Sequence, residues 1–189
     1  MKTSQDGIEL LKRFEGLELE SYPDIAGIWT IGYGHTGSEV AADQKLTEQE
    51  AIDLLRKDLV PREKAINDLV RVPLNQYQFD ALVSFVYNIG IGAFKRSTAM
   101  RLLNKGDYED AAAAMLMFDK ATVNGVFGPV TGLTNRRKAE KALFLKPVPI
   151  VETNNQLNAD YIADHDTRIT PLLVTPWWRL ALAFIGIPI

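Results

Sequence analysis

Apolar residues recur along most of this chain at helical spacing, and the pattern is interrupted early by one stretch of a different kind. Ile8, Leu11 and Phe14, with Leu10, lie on one stripe of a helix. Thr3 and Asp6 stand at its start as a capping box, and Gly16 is placed to stop it. Over 17–36 the character changes. Tyr22-Pro23-Asp24 reads as a turn, Ile28 to Tyr33 favours strand, and glycines recur at 27, 32, 34 and 37. This predicts a small twisted hairpin or three-stranded sheet. Thr47 with Glu50 forms a second capping box, which predicts a helix through Leu59. Helical periodicity then persists. Asn75 is expected to cap a helix whose Phe79, Leu82, Val83 and Val86 share a face and whose end is Gly90. Residues 97–105 predict another, ended by Gly106, and Asp107 caps an alanine-rich helix reaching Phe118. Residues 121–133 read as glycine-rich loop. Asn135 to Leu145 predicts a last core helix carrying Arg136, Arg137, Lys138 and Lys141. The expected fold is α+β and mainly helical, a small β-containing lobe followed by a larger helical lobe.

The pattern shifts at Pro147. Pro147-Val148-Pro149 and Glu152 to Gln156 read as a linker over 147–156, leaving 157–189 as a C-terminal extension. Thr175 and Pro176 open a short apolar helix at about 176–185. Its Trp177, Trp178, Leu180, Leu182, Phe184 and Ile185 are apolar nearly all round. Such a helix either packs on the core or contacts the cell envelope. The single Arg179 and the acidic approach through Asp160, Asp164 and Asp166 favour packing.

Composition narrows the function classes. The chain has 189 residues, 47% hydrophobic and 24% charged, an ordinary globular balance that buries a sizeable core. A net charge of -3 gives no electrostatic case for nucleic acid. No run of ~20 apolar residues is present to span a membrane, and no signal-peptide apolar region follows the polar Met1 to Asp6. Without cysteine there is neither disulfide nor thiolate chemistry. The two histidines, His35 and His165, are too few for the usual three-ligand zinc hydrolase site, so no metal and no cofactor is expected. Ser/His chemistry lacks its G-x-S-x-G elbow.

Cleavage of a glycosidic bond needs one carboxylic acid to protonate the leaving oxygen and a second carboxylate to handle water or attack. The acid belongs against apolar surface, the ionised partner in a wetter turn. Glu15 closes an amphipathic helix beside Phe14, Asp24 sits in the Tyr-Pro-Asp turn, and Thr30 follows in the strand with a hydroxyl that both donates and accepts. Each alone has an ordinary explanation: a solvated helix end, turn chemistry, strand propensity.

The surrounding blocks resemble a known family. Arg13-Phe14-Glu15-Gly16, Tyr22-Pro23-Asp24 and Trp29-Thr30-Ile31-Gly32-Tyr33-Gly34-His35 are similar to the phage-type lysozymes, glycoside hydrolase family 24, in which Glu, eight residues, Asp, five residues and Thr form the catalytic pattern. Leu74 to Leu82 and Phe85 to Gly90 resemble that family's long central helix, and Gly132 to Glu140 its last shared block. The resemblance covers about residues 4–146, which makes 1–146 a lysozyme domain. It implies a lysozyme-like fold with the active-site cleft between the lobes. It also implies a monomeric endolysin that hydrolyses the β-1,4 bond between N-acetylmuramic acid and N-acetylglucosamine of bacterial peptidoglycan, without cofactor, for host cell lysis. Glu15 would be the general acid, Asp24 the carboxylate that positions water, and Thr30 its orienting hydroxyl, an inverting arrangement. Arg136 matches an arginine facing the catalytic Glu, Asn88 would line the cleft, and His35 would tie the small lobe together. A cation beside a carboxyl favours its ionised form and an apolar wall opposes that. The enzyme would stay in the host cytoplasm until release through a holin-type lesion, then act on the periplasmic cell wall. One departure is Phe118, where relatives usually carry Trp, read as a packing change. The alternatives are a lytic transglycosylase, which needs no water-handling residues, and a peptidoglycan binder that has lost one of the three.

Overall fold

In the computed structural model, which describes residues 1–24, 27–123 and 125–148, helix α1 spans Gln5–Glu15. The expected Thr3–Asp6 capping box does not form: the N-cap position is Ser4 and no side chain caps the helix locally. Thr3 gives its N–H and hydroxyl to Glu63 at 2.8 and 2.6 Å. Ser4 gives its N–H to Asp80 at 2.9 Å and its hydroxyl to the same carboxylate. Two acids from distant helices thus take the donors at the positive helix end, and tertiary packing replaces the local box. Gly16, at φ 75°, ends the helix as expected. At Gly7 helix α1 lies close against α3 (Gln76–Ile89): a Cβ there would stand 2.9 Å from the Cβ and Cγ of Asp80.

Strands β1 (Glu18–Pro23), β2 (Trp29–Gly32) and β3 (His35–Thr36) form the expected three-stranded antiparallel sheet in that order. Thr30 pairs with Tyr22 on one side and Thr36 on the other. β2 is the buried strand, and its Gly32 backs onto Ala51 of α2 (Glu48–Leu69).

Helix α2 opens with the Thr47–Glu50 capping box. It does not stop near Leu59 but runs to Leu69 with Pro61 inside it. Proline removes one helix hydrogen bond. Buried Leu55, Leu59 and Ile66 hold the two flanks to the core, so packing carries the helix across the break. Helix α3 is the centre of the larger lobe. It is capped by Asn75 and Gln78 as a box and ended by Gly90 at φ 82°, and it buries every residue from Phe79 to Val86.

The chain then continues through α4 (Ile91–Arg96), α5 (Thr98–Leu103, capped by Ser97) and α6 (Tyr108–Met115). α4 was not anticipated, α5 stops short of 105, and α6 stops short of Phe118, which instead packs edge-on against Phe85 at 5.2 Å. Where glycine-rich loop was expected, β4 (Lys120–Val123) and β5 (Val126–Pro129) pair antiparallel, with Val123 opposite Val126. Helix α7 (Thr131–Phe144) begins before Asn135 and packs along α3. The architecture is α+β, a small sheet lobe and a helical lobe built around α3. The extension over 157–189, its helix at about 176–185 and all but the first two residues of the 147–156 linker lie outside the described residues. Among the described residues no helix is long and apolar enough to cross a membrane.

Candidate active site

Glu15 is the last residue of α1, held where the helix meets the sheet lobe. Its side chain is 18% exposed and its Oε1 lies 2.6 Å from an Nη of Arg136. The other oxygen, Oε2, faces Gly34, whose backbone at φ 81° has no side chain to block it; a Cβ there would stand 3.9 Å away. A cavity of about 320 Å³ opens at this point, lined by Glu15, Gly34, Thr36, Asp58, Arg62, Tyr87 and Asn88.

Asp24 and Thr30 are brought together by the backbone of Ile28. The Ile28 N–H donates to Asp24 Oδ1 at 2.8 Å. The Ile28 carbonyl accepts the Asp24 N–H at 2.9 Å and the Thr30 hydroxyl at 3.1 Å. Thr30 is buried and Asp24 partly exposed. The hydroxyl proton of Thr30 is therefore already given away, which leaves its oxygen as an acceptor.

Arg136 is 3% exposed and sits at the centre of a charged cluster inside the helical lobe. Besides Glu15 it binds Glu140 through Nε at 3.1 Å and the Ser84 carbonyl at 3.0 Å, and its guanidinium lies over Phe14 at 5.7 Å. Glu140, fully buried, also accepts the Ser84 hydroxyl at 2.8 Å and an Nη of Arg137 at 2.9 Å. Arg137 is itself fully buried, its Nε 2.8 Å from Glu140 Oε2 and its guanidinium 4.9 Å from the Phe85 ring centre. Burial pushes the Glu140 carboxyl above the ordinary carboxylate range, with Arg137 and then Arg136 pulling it back, and burial lowers Arg137.

Comparison with known proteins now decides the family. Residues 12–140 match the phage lysozyme family model. The chain belongs to the phage lysozyme family. An endolysin of Acyrthosiphon pisum secondary endosymbiont phage 1 is 46% identical over 144 residues, covering 76% of this chain and 98% of that protein. The endolysin of Salmonella phage P22 is 46% identical over 149 residues, covering 77% and 99%. The muramidase domain of SpmX from Asticaccaulis excentricus superposes with a TM-score of 0.73 at 46% identity, over 77% of this chain and 99% of that one.

The remaining sequence-derived residues fall in different places. Asn88 is exposed on the wall of the Glu15 cavity. His35 is not on that wall. Its Nδ1 lies 2.9 Å from both carboxylate oxygens of Asp58 and its Nε2 3.1 Å from Glu39, so it joins β3 to α2. It lines a separate cavity of about 310 Å³ with Glu39, Glu50, Asp53 and Lys57. Sequence reasoning missed Tyr87, Arg62, Ser84 and Glu140. Tyr87 donates to the Tyr33 carbonyl at 2.9 Å, and burial, then the charges of Asp58 and Glu15, push its phenol far up. Arg62 stacks on that ring at 5.1 Å and donates to the Asp58 carbonyl at 2.7 Å. Tyr87 and Glu140 lie in blocks that resemble the family, but nothing local marks a tyrosine as a cleft wall or a helix glutamate as buried.

Proposed function

We propose that the chain hydrolyses the β-1,4 bond between N-acetylmuramic acid and N-acetylglucosamine in peptidoglycan, with Glu15, Asp24 and Thr30 as its catalytic groups. The observation that carries this reading is Glu15 itself, a carboxyl on the wall of an open cavity with one oxygen clamped by Arg136 and the other facing the cavity side. The transferable proton then rides on Oε2 and passes to the glycosidic oxygen as the bond to the anomeric carbon breaks. Water adds to that carbon from the opposite face, giving its proton to Asp24, while the Thr30 oxygen orients it. Configuration inverts. Arg136 holds Glu15 in place, Asn88 contacts the sugar chain, and His35 supports the site by tying β3 to α2.

The chain works as a monomer. Residues 1–146 carry the activity, 147–156 link, and the extension over 157–189 packs on the core or contacts the envelope. The enzyme waits in the host cytoplasm and reaches the wall through a holin-type lesion. Packing is the role we expect: a 1–146 form should melt below the full chain, and an unchanged melting temperature with reduced vesicle leakage would instead give the extension an envelope role.

Analysis of the ends produced from purified peptidoglycan tests the activity. A hydrolase leaves reducing ends, a transglycosylase leaves anhydro ends, and a binding protein releases nothing. Glu15→Gln is expected to lose ~10²–10⁴-fold in rate while staying folded. Wild-type rates in that variant would remove Glu15 from the mechanism.

A further inference from the structure

The charge that faces Glu15 is not that of Arg136 alone. One edge of the Arg136 guanidinium meets Glu15 at 2.6 Å and its Nε meets Glu140 at 3.1 Å, so one cation is shared between two carboxylates. Glu140 is in turn shared with Arg137. A guanidinium stays protonated in proteins, and a fully buried one needs a counter-charge. Arg137 Nη1 finds no hydrogen-bond acceptor among the described residues, and Glu140 is the carboxylate at its other nitrogens. Two cations and one anion therefore stand behind Glu15. Without Glu140 the excess is two positive charges, and without Arg137 it is zero.

We propose that Glu140 and Arg137 are positioning residues that meter the positive charge Arg136 presents to Glu15, and so set the pH range in which Glu15 donates a proton. This rests on Glu15 being the general acid. The other charged or titratable groups facing the site are Tyr87 from α3 and Asp58 and Arg62 from α2, while Arg13 of α1 lies over the Phe14 ring. All of them stay constant in the variants below. Ser84 of α3 faces Glu140 and is neutral.

The test is the pH profile of kcat/KM on soluble peptidoglycan fragments with the full chain. Glu140→Gln leaves an extra positive charge near Glu15, which loosens its proton, so the alkaline limb moves to lower pH by about one unit. Arg137→Met removes a cation and moves the same limb to higher pH by a similar amount. The double variant Glu140→Met/Arg137→Met restores the net charge and returns the limb to within about 0.3 units of wild type. Replacing a buried ion pair by apolar side chains is often neutral for stability, so the double variant checks that the single-variant shifts come from charge; where one single variant does not fold, the sign of the other's shift decides. Side chains that merely support the fold would lower Tm without moving the limbs in opposite directions. Limbs that stay put in the single variants, or a double variant displaced by more than about half a unit, overturn the proposal. An active Glu15→Gln would instead overturn the mechanism beneath it, so the two failures are distinct.

Discussion

A glycine in the first turn of a helix is normally worth replacing. Alanine loses less backbone freedom on folding and stabilises a helix by roughly 0.5–1 kcal/mol relative to glycine. Gly7 in α1 is the exception this fold builds in. Its new methyl group would lie 2.6 Å from the Thr3 methyl and 2.9 Å from two carbons of Asp80, well inside ordinary contact. Neither neighbour is a loose side-chain end. Thr3 is tied to Glu63 by two hydrogen bonds, and the Asp80 carboxylate is tied to Ser4 and Gln76. Relief therefore means separating α1 from α3 or breaking those bonds, and forcing extra carbon into a packed contact costs typically 1–3 kcal/mol. The steric term outweighs the helix term, leaving Gly7→Ala destabilised by ~0.5–2 kcal/mol. For a folded body of this size that lowers Tm by about 2–6 °C. Gly132, in the first turn of α7, is the internal control. A Cβ there meets nothing within 4 Å, so Gly132→Ala should raise Tm by about 1–3 °C. Calorimetry on the two variants reads the signs directly. A rise in both would mean that the α1–α3 contact is looser than described and that the argument from its distances is wrong.

Asp24→Asn and Thr30→Ala should each reduce kcat on a soluble glycan fragment far more than they raise KM, because water is positioned for the transition state. Unchanged kcat with a raised KM would move both residues to a binding role. Removing the Glu50 carboxylate should make acid stability less steep. Hydrogen bonds from the Thr47 N–H and hydroxyl hold that carboxyl below its usual range. Its contribution is thus present above the unfolded value and lost as pH falls through the folded one. The stability gap between wild type and Glu50→Ala, followed by urea unfolding, should accordingly narrow below about pH 4. Excess EDTA should leave activity intact, since carboxyl chemistry needs no metal and a chain with two histidines and no cysteine is poorly supplied with ligands. Loss of activity restored by zinc would count against the glycosidase mechanism.

Local chemistry was legible in the sequence and long-range chemistry was not. The Thr47–Glu50 box and the Asn75 cap each find their partner three residues on, and both form. Thr3 and Ser4 also sit where capping residues belong, but their partners are 60 and 76 residues away, beyond any local pattern. The β4–β5 hairpin was missed although Val123-Asn124-Gly125-Val126 is a strong hairpin signal, because Gly128 and Gly132 just after it suggested a continuous loop. Helix α2 was expected only through Leu59, and core packing carries it across Pro61 to Leu69. Glu15, Asp24 and Thr30 were singled out through their spacing within a family pattern. Helical periodicity gave no hint that Glu140 is fully buried: its Arg136 and Arg137 partners, four and three residues back, read equally well as an exposed helix pair, and only Ser84, 56 residues away, comes from another element.

The Ile28 clasp means that part of the proposed site is held by main chain and has no side chain to mutate. Its N–H and carbonyl hold Asp24 and Thr30, while its side chain is 52% exposed. An alanine scan would therefore pass over position 28 as tolerant, and a library built there would find broad freedom of residue type. An amide-to-ester replacement at the Gly27–Ile28 bond, which deletes one N–H and leaves every side chain in place, would expose what the scan cannot. Side-chain changes at position 28 would leave the proposed Asp24–Thr30 pairing in place, because main chain alone makes it.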